Sequence, residues 1–251
     1  MPIHTLAFAI AMGATATSAA AGDLVVLAAG AVKEAFPEAA ERWQKASGTA
    51  VKASFAPAGE IRKRLAAHEA ADILVLPADQ LAALEREGIV VAGTRRDFAA
   101  VGISAAVRKG APLPDISTVD ALKRTLLAAK SVTYMDPTLG TSGRHFDEKA
   151  LPRLGIRDAV RAKTRFGKGG SVAVKLVSGE AEIAFQNTTE LLVVPGAAIV
   201  GPLPAEVQLR TVYSGAVLAS ARDRARAQSL LDHIASPEGR RAFIDRGFSP
   251  P

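Results

Sequence analysis

Four short stretches of small residues are the places in this chain where chemistry could be done. They are Ala28-Ala-Gly-Ala31, Ala56-Pro-Ala-Gly59, Thr138-Leu-Gly-Thr-Ser-Gly143 and Gly167-Lys-Gly-Gly-Ser171. Each falls where an apolar, strand-like run gives way to a helix-period segment. A loop of that kind ends at a helix N-terminus, whose first N–H groups lack intrahelical partners and whose dipole favours negative charge. Such loops suit an anion, and small residues let the backbone approach it closely. Gly and Ala also fill strand-to-helix turns for steric reasons alone, so the argument rests on four loops occurring together. The candidate contacts are Gly30, Ala31, Ala58, Gly59, Thr141, Ser142, Gly143, Gly170 and Ser171. Arg144 follows the third loop, where its planar fork could hold a carboxylate by two parallel bonds or could simply face solvent; Lys168 has the same two readings. Gln186-Asn187-Thr-Thr189 leaves a buried-looking strand with four uncharged polar residues in a row. That run reads as a ligand contact through Gln186 and Asn187, or as a polar turn.

Other chemistries find little support. Gly140-Thr-Ser-Gly143 has the wrong order for a nucleophile elbow, and Gly167–Ser171 lacks the spacing of a nucleotide-binding P-loop. The chain has four His, none spaced as a metal-binding pair, and no Cys. A thiol nucleophile and a disulfide framework are therefore excluded, and neither metal nor cofactor is expected. The formal charge of +6 comes from scattered rather than clustered basic residues, and only two Tyr and one Trp could stack on bases. That pattern argues against nucleic acid and leaves a solvated basic surface or the attraction of small anions.

The elements that must position these loops are legible as alternating signals. Leu24–Ala28, Val51–Phe55 and Ile73–Leu76 read as short buried strands. Between the first two, Val32, Ala35, Phe36, Ala39, Ala40 and Trp43 form one helical stripe, with Pro37 in its first turn. Leu81 and Leu84 belong to a helix stopped by Gly88. A second series has strands at Val101–Val107, Val132–Tyr134 and Ile183–Phe185. Its helices run over Val119–Ala129, after Gly143 and after Ser171. Pro152 should kink or shorten the helix after Gly143. Val212–Ala219 reads as a further strand, and two helices close the chain, the last announced by Ser236, Pro237 and Glu238.

Residues 1–21 form an uncharged leader with an apolar stretch at Leu6–Met12 and small residues at Ala19 and Ala21. It predicts an exported protein cut after Ala21, although the leader lacks a cationic start. The remainder predicts an α/β protein of two lobes, each a mostly parallel sheet flanked by helices. Residues 22–103 and 208–251 would make lobe I and 104–207 lobe II, joined by crossing strands around a cleft.

The chain resembles the molybdate-binding periplasmic protein family, which has the type II periplasmic solute-binding fold. The likeness lies in Leu27-Ala-Ala-Gly-Ala-Val32, Ser54-Phe-Ala-Pro-Ala-Gly59, Ala71-Asp-Ile-Leu74 with Ala78-Asp-Gln80, Asp136-Pro137 leading to Ser142-Gly143, and the ending Ser236-Pro-Glu-Gly239 through Arg246-Gly-Phe248. The resemblance implies a monomer that closes over a small anion and hands it to the membrane permease of an ABC transporter, without catalysis. The family's ligand loops depart from pattern here. Ala31 and Ala58 stand where the resemblance implies serine hydroxyls, and Asn187 stands roughly where it implies a tyrosine. Loss of those hydroxyls, with Arg144 added, favours an organic carboxylate over molybdate or tungstate. Periplasmic aconitate isomerase resembles the same binding proteins and supplies the catalytic alternative, in which Arg144 and Lys168 would clamp a tricarboxylate and His145 would be the base.

Overall fold

A computed structural model describes residues 22–251; the leader and its cut after Ala21 lie outside the described residues. Eight strands build the fold: β1 (Leu24–Ala29), β2 (Val51–Ala56), β3 (Ile73–Pro77), β4 (Arg96–Arg108), β5 (Val132–Tyr134), β6 (Ile183–Asn187), β7 (Ala197–Pro202) and β8 (Arg210–Val217). Their order is β2-β1-β3-β8-β4-β6-β5, with β7 also pairing β4. β1 runs parallel to β2 and β3, and β5 parallel to β6, as strands joined through helices must. β8 returns antiparallel between β3 and β4.

β4 makes two lobes of one chain. Arg96–Gly102 pairs with β8 in the first lobe, and Ile103–Arg108 pairs with β6 and β7 in the second. Where the partners change, the Gln208 side chain stands in for a strand. Its Oε1 accepts from the Ile103 amide at 2.8 Å and its Nε2 donates to the Ile103 carbonyl at 3.0 Å. Each lobe has its own core. The first gathers Leu27, Leu74, Leu76, Phe98, Leu230 and Phe243; the second gathers Ile103, Leu122, Tyr134, Phe146 and Phe185. Among the described residues no helix is long and apolar enough to cross a membrane.

Local sequence accounts for most boundaries. Pro37 lies at the start of the helix Phe36–Ser47, and Gly48 ends it at φ 66°. The Thr118 and Ser236 side chains cap the helices Val119–Ala128 and Pro237–Ile244. Pro152 acts otherwise than expected. The helix opening at Thr141 passes into a π-helical stretch at Phe146–Ala150 and resumes over Leu151–Leu154. Proline lacks an N–H and crowds the carbonyl four residues back, and the wider turn accommodates both defects. The π turn buries Asp147 completely, where it accepts from the Tyr134 hydroxyl at 2.8 Å and the Arg157 guanidinium at 2.7 Å. Sequence patterning misses β7, whose apolar run is short and closed by Pro202, and the short helix Thr188–Leu192, read as polar loop.

Candidate functional site

The two lobes face each other across a cleft of about 1290 Å³. Lobe I contributes Gly30, Ala31 and Ala58 from the loops after β1 and β2, together with Tyr213 from β8. The opposite wall carries Thr141, Ser142, Gly170 and Ser171, then Gln186, Asn187, Thr189 and Glu190 from the end of β6 and the helix beyond it. The segments at Gly30, Ala58 and Thr141 all begin without a side-chain cap. The first turns at Gly30 and Thr141 thereby offer backbone donors to this space, whereas in the helix at Ala58 the amides of Gly59, Glu60 and Ile61 are already bonded. Its cations, Lys33 and Arg246, line the opening; Arg246 holds Glu38 at 2.8 Å.

Three expected contacts are displaced from the wall. Gly59 donates its amide to the Leu139 carbonyl of the other lobe at 2.9 Å, so that donor is already committed. A Cβ at Gly143 would lie 1.9 Å from the Met135 carbonyl oxygen, so this glycine serves close packing. Arg144 is exposed and its Nε reaches the Pro137 carbonyl at 3.3 Å. The helix starts at Thr141, and two residues past Ser142 the helical turn of about 100° per residue has carried the side chain to the far side. The proposed clamp and base also lie off the cleft: Lys168 is exposed and does not line it, and His145 Nε2 pairs with the Val207 carbonyl at 3.0 Å. Asp136 is held in its own turn by the Thr138 hydroxyl and amide, which lower its pKa.

Gln186 turns out to be an organiser. Its Oε1 accepts from the Val172 amide at 2.8 Å, while its Nε2 donates to the Gly170 carbonyl at 3.1 Å and to Glu190 at 3.0 Å. One buried amide thus fixes both the Gly170–Ser171 loop and a carboxylate. Asn187 donates from Nδ2 to the other Glu190 oxygen at 2.8 Å. Glu190 has no ion-pair partner among the described residues. Desolvation pushes its pKa up to about 7 against the pull of the two amide donors. Beside it, Asn187 Oδ1 and Thr189 Oγ1 are buried without partners. Buried polar atoms are costly unless satisfied, and two of them together on a cleft wall point to a polar guest. Sequence reasoning overlooked Glu190. The available signal was its spacing of four from Gln186 and three from Asn187, which brings all three together as the strand turns into a helix.

Two lobes on a shared strand, with uncapped helix starts around a deep cleft, define a solute-binding protein of the type II periplasmic kind. The chain matches the bacterial extracellular solute-binding protein family over residues 24–249, and it belongs to that family. It is 36% identical over 232 residues to the aconitate isomerase of a Pseudomonas species, covering 90% of this chain and 87% of that protein. A molybdate-binding protein of Escherichia coli is 25% identical over 250 residues, covering 97% and 94% of the two chains. The periplasmic molybdate-binding protein of Azotobacter vinelandii superimposes with a TM-score of 0.76 at 17% identity, over 91% of this chain and all of that one. The family and fold expectations hold. The expectation of a binding protein without catalysis does not, because a relative matched over nearly its whole length is an enzyme.

Proposed function

We propose that this protein is an isomerase that moves a proton between carbons of a small unsaturated tricarboxylate, interconverting cis- and trans-aconitate, with Glu190 as the base. The observation that carries the reading is the Glu190 carboxyl, which lines the cleft without a cation and has its pKa pushed up to about 7. A carboxylate of ordinary acidity is a weak base toward carbon, whereas one titrating near the working pH has both the right protonation state and more driving force. The kinship with an aconitate isomerase supports the same conclusion.

The residues divide the work as follows. Backbone donors at Gly30, Ala31, Thr141 and Ser142, with the Ser142 and Ser171 hydroxyls, hold carboxylates. Lys33 and Arg246 at the rim draw the anion in and neutralise the rest of its charge. Gln186 and Asn187 aim Glu190 at the methylene carbon, and the walls exclude water so that the proton is not lost. The enzyme works in the periplasm, released there by cleavage after Ala21.

The test is proton NMR of the purified protein with either isomer between pH 5.5 and 8.5. Wild type should interconvert them with kcat rising to a plateau through pH ~7 as Glu190 loses its proton. Glu190→Gln should lose at least about 100-fold, in line with removal of a general base. Tight binding without turnover would sink the proposal and leave a carrier that serves a membrane permease.

A further inference from the structure

We propose that Tyr213 is a second catalytic residue, whose hydroxyl hydrogen-bonds the carboxylate oxygen on which charge builds when Glu190 takes its proton. The inference rests on the isomerase reading and adds an electrophilic partner to its base. Tyr213 reaches the cleft from lobe I, while Glu190 belongs to lobe II. The two are joined by one atom: Asn187 Nδ2 donates to Glu190 at 2.8 Å and to the Tyr213 oxygen at 3.2 Å. Because that oxygen accepts, the phenolic hydrogen remains to be donated, and no other bond of this hydroxyl occurs among the described residues. The residue is only 3% exposed, with its ring edge-on to Phe248. Burial, followed by the nearby Glu190 charge, drives the phenol pKa far above its ordinary value. The group therefore stays a neutral donor over the whole working range.

The chemistry requires such a donor. When Glu190 removes a proton from the methylene carbon, the C–H electron pair passes into the adjoining carboxylate, which becomes an enediolate with a second negative charge. Tyr213 gives a hydrogen bond to that oxygen without giving up its proton. Protonated Glu190 then delivers the proton to the far carbon of the three-carbon unit: the enediolate pair becomes the new double bond, the pair of the old double bond forms the new C–H bond, and Glu190 is again a carboxylate. A fixed donor in a water-poor site is most effective against charge that appears only in the transition state.

The experiment compares wild type with Tyr213→Phe, which keeps the ring and removes the donor. Turnover of aconitate is one arm. Binding of a nitronate analogue, in which the reacting carboxylate is replaced by an ionised nitro group, is the other. The variant should lose about 100- to 1000-fold in kcat, with KM changed less than about fivefold, as for removal of one oxyanion donor. It should lose a comparable factor for the nitronate, while its affinity for aconitate stays within about fivefold. Equal weakening of both ligands, or of neither, overturns the role of Tyr213 whether or not the wild type turns over. Absence of turnover by wild type overturns the isomerase reading separately. Should Tyr213→Phe fail to fold, 3-fluorotyrosine can replace the only two tyrosines, with Tyr134→Phe identifying the signal of residue 213. Its fluorine resonance should move on nitronate binding, and a stationary signal overturns the proposal.

Discussion

Glu190 works at the expense of the fold that holds it. Its carboxyl has a pKa of about 7 against an ordinary 4.5 because burial disfavours the ionised form. The native state therefore binds the proton more tightly than the unfolded chain. Stability falls as pH rises between those values, and the penalty is complete above the upper one. Glu190→Gln should accordingly gain about 1 kcal/mol at pH 8, since partial exposure reduces the full linkage value, and almost nothing below about pH 4; urea melts on either side of the window check this. Arg144→Ala should leave ligand affinity within about twofold, because its side chain is exposed off the cleft; calorimetry with aconitate decides. These two residues also show how far the site was legible. Small residues at strand ends marked the loops that line the cleft, since steric demand is written in residue type. Arg144 lies off the cleft and Glu190 on it for the same reason: the direction of each side chain depends on where a helix begins, and shifting a start by two residues turns a side chain to the opposite face.

β4 shows the same limit at the level of the element. Its apolar core, Val101–Val107, was plain in the sequence, yet the strand begins at Arg96 and changes partners after Gly102. The change falls beside Gly102, whose missing Cβ leaves room for the Gln208 side chain, and it is Gln208, from a distant part of the chain, that pairs the Ile103 backbone there. The Gln208 amide accepts from the Ile103 and Leu209 amides and donates to the Ile103 and Leu203 carbonyls. Gln208→Ala should cost about 1–3 kcal/mol by leaving buried backbone groups unpaired. It should also speed hydrogen exchange at the Ile103 amide far more than at Leu27 in β1. Equal protection at Ile103 in both proteins would mean that water replaces the side chain. Pro152 teaches the complementary lesson: the sequence marks a defect in the helix, but whether the chain kinks, stops or widens depends on what the turn can bury, here Asp147.

At the scale of the molecule, the hydrogen bonds that tie the lobes across the cleft include the Gly59 amide to the Leu139 carbonyl, Gln80 Nε2 to the Thr141 hydroxyl at 3.1 Å and Asn187 Nδ2 to the Tyr213 oxygen at 3.2 Å. A side chain at position 59 would place its Cβ 2.6 Å from the Thr138 carbonyl oxygen. Gly59→Val should therefore hold the lobes apart. The expected result is a larger radius of gyration by X-ray scattering that ligand no longer reduces, with affinity down at least about tenfold. The path of the chain also sets an order in time. Lobe II is closed by residues between Ile103 and Val207, whereas β3 of lobe I waits for β8 and the Ala100 backbone for Ser249. During synthesis the middle of the protein can fold while β3 still lacks its β8 neighbour, since contacts between distant segments form late. Arg246 and Phe248, which line the cleft, come after all eight strands and the two closing helices. The cleft is thus completed only after β8 and the two helices that follow it have joined the first lobe.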